Sequence, residues 1–280
     1  MSSITKDYFR SGFKRWIRWI ALACVFAVAC GFLANWQWNR RVQVLKVIHR
    51  IDRNYDHSVV PLEVLVPNTG RFALKHEYRP VLISGQYLVP KSVLLRNQVN
   101  DGNPGFDQLV PFQLDSGRIV VVDRGWLSTG DRQDLPDSIP AMPTGHIRAV
   151  GRLIHLQQPD SRFAPMGQAM AINPSQLNKR WGFAAGELYS GAYLQLAVED
   201  PKPAVYPTLA VKPDITEGNH LSYAFQWVLF AVLAFVAIFA NVRKDLQELR
   251  AEREPGYKPK QRKRKRQTDV DAETEDALLD

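Results

Sequence analysis

The sequence predicts an α+β membrane protein in which two transmembrane helices flank one extracytoplasmic β-rich domain, a small sheet or partly open barrel. Three observations predict it. The 280-residue chain has an uncharged apolar run near each end, its middle consists of short β-rich segments punctuated by Gly, Pro, Asn and Asp, and lysine and arginine gather on the outer flanks of both runs. Bulk composition conceals this pattern. With 45% hydrophobic and 23% charged residues and a mean hydropathy of -0.24, the average is that of a soluble domain. A window of membrane-spanning length separates the two runs from the rest.

The first run covers residues 19–39 and the second 220–242. Each holds the roughly 20 apolar residues that cross a bilayer core at 1.5 Å per residue. Aromatic residues mark their ends, Trp16, Trp19, Trp36 and Trp38 on the first and Tyr223 and Trp227 on the second, as an interfacial belt requires. Lys6, Arg10, Lys14, Arg15 and Arg18 precede the first run, while eleven lysines and arginines follow the second between residues 243 and 266. By the positive-inside rule both ends are expected in the cytoplasm. Arg40, Arg41, Lys46, Arg50 and Arg53 stand behind the first run, so the tail decides the orientation. Ala27-Val28-Ala29 imitates a signal-peptidase site, but the apolar run continues past it to Trp38. A spanning helix is therefore the reading adopted. The expected partition is a cytoplasmic segment 1–18, a first helix 19–39, the exported domain 40–219, a second helix 220–242 and a disordered cytoplasmic tail 243–280, basic and then acidic.

A net charge of +8 and the basic stretch at 258–266 bring nucleic acid to mind. A basic block just beyond a membrane span instead faces anionic lipid headgroups, so the bilayer is the expected partner and nucleic acid is not. Both cysteines, Cys24 and Cys30, lie in the first helix. Six residues apart, they project to different faces and cannot share a metal. The exported domain is expected to fold without disulfides.

Val42, Leu45, Ile48 and Ile51 carry helical spacing past the first span, which extends that helix into the exported domain. Five strands are expected at 78–87, 92–98, 108–114, 118–123 and 146–156, with turns at 100–105 and 115–117 where Asx-Gly pairs and glycine accept positive φ. Residues 128–144, with Pro136, Pro140 and Pro143, are a surface excursion. Asn173 caps a helix over 174–188, with Pro174 in its first turn. A sixth strand is expected at 189–198. Residues 201–213 carry four prolines and read as a stiff connector.

No nucleophile elbow, phosphate-binding glycine loop or H-E-x-x-H motif is present, and the six histidines have no metal-site spacing. The chain is not expected to be an enzyme. Binding residues are more visible. His220, Tyr223 and Trp227 fall at i, i+3 and i+7, one helical stripe, and an ionisable group at membrane depth marks function. A neutral imidazole beside aromatic walls suits axial ligation of haem iron. Trp36, Gln37, Arg40 and Arg41 close the first helix at the same interface, where Arg40 or Arg41 could pair with haem propionates. A third group, Arg124-Gly125-Trp126, ends a hydrophobic strand and is either a structural corner or a partner-docking turn.

These stretches carry a resemblance. Trp36-Gln37 with Arg40-Arg41, the Arg124-Gly125-Trp126 turn, and Gly218-Asn219-His220-Leu221-Ser222-Tyr223-Ala224 followed by Gln226-Trp227 resemble the signature regions of the Surfeit locus protein one family of cytochrome c oxidase assembly factors. Val81 to Tyr87, Leu94-Leu95-Arg96 and Gly105-Phe106-Asp107-Gln108-Leu109-Val110-Pro111 fit in the same order, so that the likeness runs over about 31–241. It departs at Asp123, where asparagine commonly precedes Arg-Gly-Trp, and in the long charged tail. The resemblance implies a role in maturing a haem-copper oxidase: transient binding of haem a and its insertion into the catalytic subunit, with His220 as the iron ligand and the haem a synthesis machinery as a further partner. The alternative is a membrane scaffold that stabilises an oxidase intermediate without binding haem. The start of the chain lacks an amphipathic, acid-poor leader, and a bacterial plasma membrane is the expected location.

Overall fold

The computed structural model describes residues 3–67, 69–131 and 133–253. They form two units, one made of the residues up to Val42 and from Gly218 onward, the other of Gln43–Glu217.

The first unit is a pair of helices. Helix α1 (Ser3–Asn54) runs through 52 residues with no proline to break it. Helix α4 (His220–Arg253) is likewise uninterrupted; its label follows chain order, since two short helices intervene. Both are long and apolar enough to cross a membrane, with windows of mean hydropathy 2.2. Their apolar side chains face outward, Phe32 at 72% exposure and Phe239 at 68%. Only a narrow stripe on each helix is covered. On α1 it includes Ala23, Ala27, Cys30, Ala34, Gln37 and Arg41, spaced 4-3-4-3-4, and on α4 it includes His220, Ala224, Trp227, Ala231, Ala234 and Ile238 at the same spacing. That is the spacing of a seam between two antiparallel helices. Polar contacts close both ends: Arg15 pairs with Asp245 at 2.5 Å, and His220 bonds Gln37. Cys24 is exposed and Cys30 buried, so the two thiols do face different ways. Residues 243–253 continue α4, although disorder is expected from 243. Leu246 and the Lys244–Glu248 pair at i, i+4 keep that stretch helical in pattern. The remainder of the expected tail, 254–280, lies outside the described residues.

The second unit is built on strands. In chain order they are β1 (Val60–Pro61), β2 (Pro80–Tyr87), β3 (Val93–Asn100), β4 (Asn103–Leu114), β5 (Ile119–Ser128), β6 (Ile147–His155), β7 (Gln168–Ala169) and β8 (Ala192–Asp200), with the short helices α2 (Leu62–Leu65) and α3 (Pro174–Trp181) between them. The sheet order is β1-β2-β6-β8-β5-β4-β3-β7, and β2 also pairs with β4. That last pairing, Gly85 to Leu114 through Tyr87 to Phe112, closes β2, β6, β8, β5 and β4 into a ring. The partly open barrel expected from sequence is thus a closed five-strand barrel carrying a flap of β3 and β7. All its neighbours are antiparallel except β5 and β8, the Greek-key style of small five-stranded barrels. Gly85, at φ 153°, is required at the closure, since a Cβ there would lie 1.9 Å from the Gln113 carbonyl oxygen.

The run Ile119-Val120-Val121-Val122 is apolar at every position because both of its faces are covered. Val120 and Val122 enter one buried cluster, with Phe112, Ile147, Leu153 and Leu194. Ile119 and Val121 enter the other, with Leu95, Leu109, Leu177 and Trp181 of α3. The first fills the barrel and the second lies between its wall and α3.

Several local expectations are corrected. The β3–β4 turn is only Asp101-Gly102, both at positive φ (49° and 80°), the type I′ hairpin geometry; Asn103 and Pro104 already belong to β4. Helix α3 stops at Trp181 rather than 188 because Gly182 takes the left-handed C-cap, while Asn173 caps its start as expected. The last strand is shifted to Ala192–Asp200. The proline-rich segment 201–213 is a strap more than a spacer: Thr208 exchanges two backbone hydrogen bonds with Trp126, each 2.8 Å. The end of α1 is fastened to this unit by Asn54, whose amide donates to the carbonyls of Lys75 and Glu77, and by Arg50, which pairs with Glu77.

Candidate functional site

At the start of α4, His220 Nδ1 lies 2.9 Å from Gln37 Oε1. The amide oxygen can only accept, so Nδ1 is the donor, which in the neutral ring leaves the lone pair on Nε2. This is how proteins prepare a histidine for a metal: the second nitrogen is held by a carbonyl, which fixes tautomer and ring orientation. Gly218, at φ 63°, lies close to the ring, where an added Cβ would stand in van der Waals contact with Cδ2 and Nε2, 3.7 Å from each.

Around this pair the other predicted residues divide. Trp227 and Arg41 share the covered seam. Arg41 places its guanidinium 5.9 Å from the centroid of the Trp38 ring. Trp227 meets Phe230 edge to face at 5.8 Å. Tyr223 (48% exposed), Trp36 (60%) and Arg40 turn outward. The stripe His220, Tyr223, Trp227 therefore does not stand in one line, because seven residues of α4 return Trp227 to the face of His220 while Tyr223 is displaced to its side. Among the described residues no group of three or more His, Cys, Asp or Glu is placed to hold a metal ion; a haem needs only the axial nitrogen from such residues.

The third predicted group lies in the barrel. Arg124 continues the alternation of Val120 and Val122 and is wholly buried. Its guanidinium pairs with Glu199, donates to Gln108 Oε1 at 2.8 Å and lies 5.5 Å from the Tyr87 ring centroid. Tyr87 donates its hydroxyl to Glu199 at 2.5 Å. Gly125, at φ 125°, lets the strap approach, since a Cβ would come within 2.5 Å of the Thr208 carbonyl oxygen. Trp126 covers Gly105, where a Cβ would meet its indole at 2.4 Å. Of the two roles left open for this turn, burial of Arg124 supports the corner. Sequence reasoning gave Glu199, Gln108 and Tyr87 no role of their own; the local signal for Glu199 was the acid pair Glu199-Asp200 closing an apolar strand.

Asp123 and Asp107 approach one another on the opposite face of β5 and β4. Burial, with Asp107 nearby, holds the Asp123 carboxyl well above the usual carboxylate range, and burial pushes Asp107 up to about 6. Asp123 Oδ1 accepts from the Gly125 N–H at 3.0 Å, and a buried carboxyl is tolerated where its oxygens find such donors.

The model of the SURF1 family matches residues 24–232. A SURF1-like protein of Mycobacterium tuberculosis is 31% identical over 243 residues, covering 82% of this chain and 87% of the relative. The chain belongs to the SURF1 family. The cytochrome oxidase assembly protein SHY1 of Saccharomyces cerevisiae is 27% identical over 122 residues, 42% of this chain and 30% of that one, and a SURF1-like protein of Rickettsia bellii is 20% identical over 240 residues, 80% of this chain and 89% of the relative. The stretch matching the SURF1 family contains the candidate binding residues Trp36, Gln37, Arg40, Arg41, His220, Tyr223 and Trp227 and the Arg124-Gly125-Trp126 turn, whereas Arg15 and Asp245 lie outside it.

Proposed function

We propose that this SURF1-family chain is a membrane-anchored assembly factor for cytochrome c oxidase, and that it binds haem a as cargo during insertion into the catalytic subunit. Membership of the family, and likeness to a yeast protein named for cytochrome oxidase assembly, support the assembly role. The His220–Gln37 hydrogen bond carries the haem reading. It leaves Nε2 as an axial donor, with Trp36 and Tyr223 exposed as aromatic surface and Arg40 free of the seam to reach a propionate. Haem a would supply redox chemistry only after delivery; this chain's residues hold, orient and release it. The role is non-enzymatic.

Anchoring follows from the outward apolar faces of α1 and α4, which water would not solvate without cost. Between the two polar closures, Trp16 to Gln37 spans 21 residues, about 32 Å at helical rise, close to the roughly 30 Å of a bilayer core. The lysine and arginine skew supports a topology with both ends in the cytoplasm and residues 43–217 outside it, and a bacterial plasma membrane is part of this reading.

A second reading is favoured by the same bond. His220 and Gln37 join two helices directly, which a scaffold holding an oxidase intermediate would need whether or not haem is present. Absorption spectra of detergent-purified wild type and His220→Ala, from cells able to make haem a, separate the two. A wild-type haem a spectrum that the variant loses supports cargo binding at His220, and no haem in either sample supports the scaffold.

A further inference from the structure

We infer that Arg15, Arg18 and Trp19 form a binding site for the headgroup and first methylenes of an anionic phospholipid. This rests on the membrane reading above and lies outside the stretch matched to the family. Residues 15, 18, 19 and 22 are i, i+3, i+4 and i+7, one face of α1. Two cavities open beside them and share Arg15 and Trp19. One, of about 330 Å³, is walled by Trp16, Ile238, Val242 and Asp245 across the seam; the other, of about 420 Å³, is lined further by Arg18 and Leu22. Over seven residues, about 10 Å of helix, the lining passes from guanidinium to indole to aliphatic. That is the order of a leaflet from phosphate to acyl chain.

Arg15 is held in place. Asp245 Oδ2 accepts from it at 2.5 Å and from Trp16 Nε1 at 2.8 Å, yet 56% of the Arg15 side chain is exposed and its five N–H groups are not exhausted by one carboxylate. Arg18 is exposed and donates through Nε to the Lys14 carbonyl at 3.3 Å. Two guanidinium charges less that of Asp245 leave one positive charge, the complement of one phosphodiester. Free phosphate would satisfy the arginines but not the apolar walls along Trp19, Leu22, Ile238 and Val242, so a lipid is the occupant.

The test is native mass spectrometry of the delipidated full-length protein with an equimolar mixture of phosphatidylglycerol and phosphatidylcholine. Wild type should retain phosphatidylglycerol with a preference on the order of tenfold, and Arg15→Gln/Arg18→Gln should lose it. Lys179→Gln/Lys202→Gln, which removes the same charge at exposed positions outside the helix pair, should keep it. Trp19→Ser, with every charge in place, should retain less of both lipids. Equal retention of the two lipids by wild type, or an equal loss of preference in the two double variants, overturns the site. Flotation with pure phosphatidylcholine vesicles distinguishes the failures: wild type that floats without lipid preference ends this inference alone, while wild type that does not float ends the membrane reading with it.

Discussion

Arg124 and Glu199 form an ion pair in which neither side chain has any exposed surface, and Gln108 and Tyr87 take up further donors and acceptors of the pair. Such a pair contributes little net stability over an apolar replacement, yet halving it strands a buried charge.

Glu199→Ala is therefore expected to destabilise the protein by about 3 to 5 kcal/mol, and Arg124→Leu/Glu199→Leu by less than the single change. Thermal melts of the detergent-solubilised chain check this. A double variant as unstable as the sum of the single ones would remove the pair from the account.

Gly125→Ala forces a Cβ against the Thr208 carbonyl at a φ of 125°. A strain of about 1 to 3 kcal/mol is expected, concentrated where the strap meets β5. Hydrogen exchange should accelerate at the Trp126 and Thr208 amides more than at those of β2 and β6; uniform acceleration would argue against a strap.

The pH dependence follows from Asp107. Its folded value near 6 lies above the 3.8 of an unperturbed aspartate, so the folded state binds the proton more tightly than the unfolded one. The stability that protonation contributes is fully present below pH 3.8 and is lost as pH rises toward 6. Asp107→Asn cannot titrate. Its melting temperature should gain on wild type between about pH 4 and pH 6 and keep a constant lead above that. Parallel curves over the whole range would place Asp107 in water.

Gln37→Leu removes the acceptor for the His220 ring without touching Nε2. With His220 as the haem ligand, retention of haem a should fall about 10- to 100-fold, read as the haem-to-protein absorbance ratio after gel filtration. Unchanged retention would leave Gln37 as a helix contact only.

The residues singled out from sequence were those whose meaning is local. Two uncharged runs, the Asn173 cap, the Asp101-Gly102 turn and the apolar strand Ile119-Val120-Val121-Val122 each declare themselves within a few positions, because propensity, capping and hydrophobic period act over one or two turns of chain. His220 and Gln37 were legible too, as polar residues at the rim of a span. Their bond, across 183 residues of sequence, was not.

The sequence by itself determined the two helices, the β-rich character of the middle and a place in the SURF1 family. Only the tertiary structure decided that Gly85 lets β2 meet β4 and close the barrel, that Arg124 finds Glu199 75 residues away, that Asp107 lies against Asp123, and that Asp245 fixes Arg15. The reason is physical. A strand's two-residue period says which side chains share a face but not which strand lies opposite, and a buried charge is tolerated only where long-range packing supplies its partner.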